Sequence, residues 1–73
     1  MADIRLECQG LNCPMPIVRI RQTMKAMHAG QTLELTADDS AFGADVKAWV
    51  KKMSYALLEF EEGAVQRAVI RKA

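Results

Sequence analysis

Alternating apolar and polar residues mark two stretches of this chain as β-strands. Residues 3–8 alternate between apolar side chains, the last of them Cys8, and charged ones, which is the period of a half-buried strand. Residues 32–37 repeat the pattern, with Thr and Glu on one side and Leu, Leu and Ala on the other. We therefore predict a first strand at 3–8 and a second at 32–37.

Apolar residues recur at intervals of three and four in two further stretches, which predicts two amphipathic helices. The first runs from Pro16 to Met27, and Gly30 suits the left-handed residue that commonly follows a helix. The second follows Asp38-Asp39-Ser40, whose side chains are candidate caps for its free amide groups. Its apolar face, expected in the core, consists of Phe42, Val46, Trp49, Val50 and Met53.

The last twenty residues predict a hairpin with strands near 55–61 and 65–71. Its alternation is less regular than in the first two strands. The residues expected to face the helices are Ala56, Leu58, Phe60, Ala68 and Ile70. Those expected on the opposite side are Tyr55, Leu57, Glu59, Arg67, Val69 and Arg71.

The element order is therefore β-α-β-α-β-β within one domain, residues 1–73. A right-handed crossover makes the first two strands parallel, and the hairpin adds an antiparallel pair. We predict an α+β fold: a two-layer α/β sandwich with two helices on one face of a four-stranded mixed sheet. The other face, which we interpret as an ordinary solvated surface, carries Arg5, Glu7, Thr32, Glu34, Glu59, Arg67 and Arg71.

Charge and cysteine content narrow the class of protein. Ten Lys or Arg stand against nine Asp or Glu, and a net charge of +1 gives no sign of nucleic-acid or membrane binding. Two cysteines cannot build the disulfide framework of small secreted domains. The chain enters its first strand without a leader pattern and contains no apolar stretch long enough to cross a membrane. We therefore expect a cytoplasmic protein with reduced thiols.

One segment, from Gly10 to Pro16, departs from an ordinary strand-to-helix turn because two prolines flank Met15. Pro14 favours an extended backbone at Cys13 and fits the first helical position itself. Cys13 is thus expected at or just before the helix N-terminus, where free amide groups and the helix dipole favour a thiolate or persulfide anion. Gly10, Pro14, Met15 and Pro16 would shape this site.

Activation of Cys13 is expected to be moderate. The two prolines lack amide protons, which leaves those of Met15 and Ile17 as donors. Arg19 or Arg21 could add positive charge nearby, and the sequence does not choose between them. The one histidine, His28, lies at the far end of the helix, so a Cys-His dyad is not expected. We expect no metal and no cofactor.

Each cysteine also has a second interpretation. Unpaired cysteines are often small buried hydrophobes, yet the proline-flanked turn favours a functional Cys13. Cys8 continues the inward-facing apolar series, so a core position is its simplest interpretation. The alternative is a resolving cysteine, since a four-residue turn permits the Cα separation of about 7 Å or less that a disulfide needs.

The segment LECQGLNCPMP, Leu6 to Pro16, resembles the TusA/SirA sulfur-carrier family, whose core motif is Cys-Pro-x-Pro. The Asp38-Asp39 pair and the closing residues 69–72 also fit the family's pattern, so the resemblance covers essentially the whole chain as a single TusA-like domain. The chain departs from the usual pattern in three places. Aspartate, arginine and glycine are commoner at Glu7, Gln9 and Ser54.

The resemblance implies a sulfur carrier with a persulfide on Cys13, loaded and unloaded by partner enzymes and not itself an enzyme. The implied partners are cysteine desulfurases, rhodaneses and DsrE-type sulfurtransferases. The implied acceptor pathways are tRNA thiolation, molybdenum-cofactor maturation, selenium metabolism and sulfur oxidation. The change at Gln9 removes a charge near the site, which bears on the choice of partner.

Two other functions stay open at this point. Cys8 and Cys13 could form a reversible disulfide in a thiol-disulfide redox protein, although their spacing is C-x4-C and not the C-x-x-C of thioredoxin-like proteins. A module that binds nucleic acid, for example, could use the open sheet face, although Tyr55 is the only aromatic residue expected there. Direct nucleic-acid binding and membrane association are not expected.

Overall fold

The computed structural model describes residues 3–12 and 15–73 and has the architecture predicted from the sequence. The observed boundaries of the first helix lie one residue earlier at each end than predicted, and the second strand matches its prediction. The six elements are β1 Ile4–Cys8, α1 Met15–Ala26, β2 Thr32–Ala37, α2 Phe42–Met53, β3 Ala56–Glu61 and β4 Gln66–Arg71.

The four strands form one mixed sheet in the order β1-β2-β4-β3. β1 and β2 are parallel, as predicted, and β4 is antiparallel to both β2 and β3. Cys8 pairs with Ala37, so the carboxyl ends of the two parallel strands lie side by side. The turns that follow these strands therefore meet at one edge of the sheet.

Both helices pack against one face of the sheet and enclose the core. The largest fully buried side chains come from both layers: Cys8, Pro16, Ile20, Met24, Leu33, Leu35, Phe42, Val46 and Ile70. Gly43 allows α2 to approach the sheet closely, because a Cβ there would lie 3.0 Å from Cζ of Phe60 and 3.1 Å from Oε1 of Gln66. This contact explains a glycine in the first turn of a helix, a position that it would otherwise weaken.

The two faces of β3 differ from the prediction in the first half of the strand. Leu57 lies opposite Ile70 and packs against the core, whereas Leu58 is 46% exposed. The register shifts between Leu57 and Glu59, so Leu58 is the extra residue of a β-bulge. Because the bulge reverses the alternation, the predictions that Ala56 and Leu58 face the helices and that Leu57 faces away are wrong.

Two side chains at the end of α2 also correct the prediction. Tyr55 was expected on the outer face, but it packs against the core and meets the Trp49 ring edge-on, with ring centroids 5.5 Å apart. Met53 was expected in the core, but it is the last residue of α2 and is exposed. The chain turns at Ser54, where φ is 60°, so one continuous periodicity does not run across this junction.

The sheet face opposite the helices carries a network of ion pairs. Glu34 on β2 accepts hydrogen bonds from Arg5 of β1 at 2.8 Å and from Arg67 of β4 at 2.6 Å. Arg67 also lies 3.5 Å from Glu59 and 3.2 Å from Glu61, both on β3. Charged side chains therefore connect all four strands across this face.

Neither α1 nor α2 combines the length and the apolar content that a membrane-spanning helix needs; this finding covers residues 3–12 and 15–73.

Candidate functional site

The structure describes the residues on both sides of the predicted sulfur site, whereas Cys13 and Pro14 lie outside the described residues. In sequence, these two residues stand between Asn12 and Met15, the first residue of α1. The described part of the site therefore consists of the turn that leaves β1 and the first turn of α1.

The turn after β1 depends on Gly10, which has a left-handed backbone with φ of 83°. Its N–H donates a hydrogen bond of 2.9 Å to Oδ1 of Asp38, and the N–H of Leu11 donates to the carbonyl oxygen of Cys8 at 3.2 Å. Glycine adopts this backbone without the steric cost that other residues meet. The second bond closes the turn on the end of β1.

Asp38 was expected to cap α2, and the structure corrects this expectation. The N-cap residue of α2 is Ala41, and no side-chain hydrogen bond caps the helix there. The Asp38 carboxylate instead binds the turn at Gly10. Asp39 contributes through its backbone, since its carbonyl oxygen accepts the N–H of Phe42 at 3.0 Å.

The first turn of α1 exposes one predicted site residue and buries another. Met15 is 44% exposed, whereas Pro16 is buried in the core. The N–H of Met15 donates to the carbonyl oxygen of Asn12 at 2.8 Å, so one of the two amide donors expected for the sulfur is already in use. Ile17 is the remaining donor of that pair. No acidic residue lies in this first turn.

Of the two candidate arginines, Arg19 is the one whose charge reaches the end of β1. Burial raises the pKa of the Cys8 thiol, and the positive charge of Arg19 partly offsets that rise. Arg19 follows Met15 by one helical turn and therefore lies on the same side of α1. Arg21 is exposed two positions further on, where it lies on a different side of the helix.

Cys8 is a free thiol with no exposed surface. The core position predicted for it is confirmed. A buried thiol with a raised pKa is a poor nucleophile, because the thiolate is the reactive form.

Sequence reasoning missed two residues that organise the site, Asp38 in its observed role and Gln66. The side-chain Nε2 of Gln66 donates to the carbonyl oxygen of Asp39 at 2.9 Å from its buried position on β4. The available signal for Gln66 was its place in the alternation of β4, where it falls on the same inward-facing side as Ala68 and Ile70. Neither contact could be predicted from spacing, because the partners lie 27 and 28 positions apart.

The described residues offer no evident metal centre. Within residues 3–12 and 15–73, no three His, Cys, Asp or Glu side chains are grouped so that they could hold a metal ion. A groove on the outer sheet face is lined by polar residues that include Arg5, Glu7, Gln9, Thr36 and Arg67. Arg5 and Arg67 are already engaged there by Glu34.

The fold defines a class of small α/β sandwiches in which a strand leads through a glycine turn into the first helix. A SirA-like protein from Desulfitobacterium hafniense shares this fold, with a TM-score of 0.79 over 93% of this chain and 95% of its own, at 20% identity. The family described as "Sulfurtransferase TusA" matches residues 4–72. The chain belongs to the TusA family.

Individual relatives support the same assignment. The protein named sulfur carrier protein TusA from Allochromatium vinosum is 39% identical over 72 residues, which cover 97% of this chain and 95% of that protein. YrkI from Bacillus subtilis is 40% identical over 97% of this chain and 96% of its own length. YrkF from the same organism is 43% identical, but this chain spans only 39% of YrkF.

Proposed function

We propose that this protein is a sulfur carrier that holds sulfur as a persulfide on Cys13. The observation that carries the proposal is the similarity of this chain, over nearly the full length of both chains, to a protein named as a sulfur carrier. Two features of the chain support Cys13 as the carrier residue. It stands two positions before Met15, the first residue of α1, and the other cysteine, Cys8, has no exposed surface.

Loading would proceed by transfer of one sulfur atom without net oxidation or reduction. The thiolate of Cys13 attacks the outer sulfur of a persulfide on the donor protein. A new S–S bond forms on Cys13 while the S–S bond of the donor breaks, and the donor cysteine leaves as a thiolate. Unloading repeats the exchange, with an acceptor nucleophile attacking the outer sulfur and the Cys13 thiolate leaving.

The arrangement supports a carrier more than a self-sufficient enzyme. Met15 is exposed beside the proposed sulfur position in sequence, and the basic Arg19 lies one helical turn further along α1. Such a site can present sulfur to other proteins, and we propose cysteine desulfurases, rhodaneses and DsrE-type sulfurtransferases as those partners. We propose that the acceptor protein determines which pathway is served: tRNA thiolation, cofactor maturation or sulfur oxidation.

The rival redox function requires Cys8 to react. Burial raises the pKa of its thiol, and the side chain is closed to solvent. A nucleic-acid module on the sheet face loses its one expected aromatic residue, because Tyr55 packs against Trp49 and the core. Both observations favour the carrier.

The proposal is tested by measuring the intact mass of the reduced protein before and after incubation with a cysteine desulfurase and cysteine. We expect the wild type and Cys8→Ala to gain sulfur that a thiol reductant removes, and Cys13→Ser to gain none. Rhodanese with thiosulfate serves as a second donor. Failure of the wild type to gain sulfur from either donor would contradict the carrier. Loss of loading in Cys8→Ala as well as in Cys13→Ser would favour the redox protein, which needs both thiols.

A further inference from the structure

The described part of the turn between β1 and α1 is tied to the β2–α2 connection. Because Cys8 and Ala37 are paired at the ends of parallel strands, the residues that follow them lie close together. At this edge, the N–H of Gly10 donates to Oδ1 of Asp38 at 2.9 Å. A hydrogen bond to a carboxylate is among the stronger kinds in proteins.

The segment that carries Asp38 is itself fixed to the core. The carbonyl oxygen of Asp39 accepts two hydrogen bonds, from the N–H of Phe42 at 3.0 Å and from Nε2 of Gln66 at 2.9 Å. Gln66 is buried on β4, and Phe42 is a fully buried core residue at the start of α2. The carboxylate of Asp38 therefore projects from a braced segment and can act as a fixed anchor for the turn at Gly10.

We propose that Asp38 is a positioning residue for the sulfur site, whose hydrogen bond to Gly10 fixes the turn and thereby the place of Cys13 relative to α1. This inference rests on the function proposed above and deepens it. Cys13 follows Gly10 by three residues. The bond from the N–H of Leu11 to the carbonyl oxygen of Cys8 closes the turn locally, and the bond to Asp38 adds an anchor outside the turn that restricts the flexible backbone of Gly10 further.

The bond and the charge of Asp38 act in opposite directions. A negative charge near a thiolate disfavours the thiolate, so charge alone would make Cys13 less reactive. Cys13 stands two positions before α1 in sequence, so a fixed turn would favour the thiolate if it holds the sulfur near the N-terminal end of that helix. A fixed turn also reduces the ordering cost when a partner docks. Asparagine keeps an oxygen that can accept the Gly10 N–H but carries no charge, so it separates the two effects.

The test is the rate of Cys13 alkylation by iodoacetamide across a pH series, followed by mass spectrometry, with the persulfide loading rate measured beside it. The variants are Asp38→Ala, Asp38→Asn and a control, Glu62→Ala, in the exposed hairpin loop. We expect Asp38→Ala to slow alkylation at neutral pH about threefold to tenfold, the effect of losing one hydrogen bond that orders the turn. In this variant, the pH at which alkylation reaches half its maximal rate should rise.

The Asp38→Asn variant separates the effect of the hydrogen bond from the effect of the charge. Asp38→Asn should retain at least the wild-type rate and midpoint, and Glu62→Ala should match the wild type. Loading rates should follow the same order. Hydrogen exchange at the Gly10 amide should be faster in Asp38→Ala than in Asp38→Asn, which shows that the bond itself was removed.

Gly10→Ala gives an independent test that leaves Asp38 in place. A Cβ there would meet nothing within 4 Å, so the substitution strains only the left-handed backbone of the turn, and it should reproduce the slower alkylation of Asp38→Ala.

Equal rates in the wild type, Asp38→Ala and Gly10→Ala would overturn the positioning role. Faster alkylation in both Asp38 variants would also overturn it, because the charge alone would then explain the effect. A wild type that takes up no sulfur would instead contradict the carrier function and leave the alkylation order unaffected.

Discussion

Ser54 is a residue whose backbone conformation suits glycine better than serine. It ends α2 with φ of 60° and ψ of 30°, in the left-handed region, and the backbone N–H groups at this cap reach the carbonyl oxygens of Lys51 and Val50. The sequence already marked this position, because glycine is usual there in the family that the chain resembles. Steric contact between a Cβ and the backbone disfavours this conformation in all residues except glycine.

Ser54→Gly should therefore stabilise the protein by about 0.5–1 kcal/mol, since relief of the left-handed strain outweighs the greater flexibility of glycine in the unfolded chain. Urea denaturation measures the change. Ser40→Gly is the matched control, because Ser40 is exposed and is not among the described residues with positive φ. The control should be neutral or slightly destabilising. Equal effects of the two substitutions would contradict the strain at Ser54.

Individual site residues differed in how far the sequence could define them. The core position of Cys8 followed from local alternation, and the left-handed backbone of Gly30 followed from its place after the first helix. The role of Asp38 could not be predicted, because its partner is a backbone amide 28 positions away and capping a nearby helix was the simpler local explanation. Long-range contacts of this kind depend on how strand ends align, which only the assembled sheet decides.

At the scale of the elements, regular periodicity gave reliable predictions and an inserted residue did not. β2 alternates without interruption and was predicted with its observed bounds, Thr32–Ala37. β3 contains a bulge at Leu58. The residues that face the core are therefore Leu57 before the bulge and Phe60 after it. The local sequence does not reveal the bulge, because Leu57 and Leu58 are both apolar and either could face the core.

Alanine substitutions at the two adjacent leucines test the position of the bulge. Leu57→Ala removes a side chain that packs against the core and should destabilise the protein by about 1–3 kcal/mol. Leu58→Ala removes an exposed side chain and should change stability by less than about 0.5 kcal/mol. Urea denaturation midpoints at an unchanged slope provide the comparison. The reverse order would mean that the alternation continues through β3 without a bulge.

Across the whole molecule, ion pairs on the outer face connect strands that are distant in sequence. Glu34 lies at the centre, between Arg5 and Arg67. Hydrogen bonds from these two arginines lower the pKa of the Glu34 carboxyl below its ordinary value. The sequence predicted most of the charged residues that share this face, Glu61 excepted, but their pairing depends on the strand order β1-β2-β4-β3, which the sequence alone did not provide.

The lowered pKa of Glu34 makes part of the stability depend on pH. A carboxyl with a folded-state pKa below its unfolded-state value contributes stability that is fully present above the unfolded value and is lost as pH falls through the folded value. Wild type should thus be more stable than Glu34→Gln at neutral pH, and the difference should shrink in acid. Denaturation of both proteins over a pH series measures this, with Glu62→Gln as a control. A difference that stays constant from neutral to acid pH would contradict the ion-pair role.

The central claim, that sulfur is carried on Cys13, is tested most directly by locating the added sulfur in the loaded protein. Trypsin releases residues 6–19 as one peptide that contains both Cys8 and Cys13. After the persulfide is blocked by alkylation, fragment ions of this peptide assign the extra sulfur to one cysteine. We expect it on Cys13, with Cys8 unmodified. Extra sulfur on Cys8, or a disulfide between the two cysteines in place of a persulfide, would contradict the account.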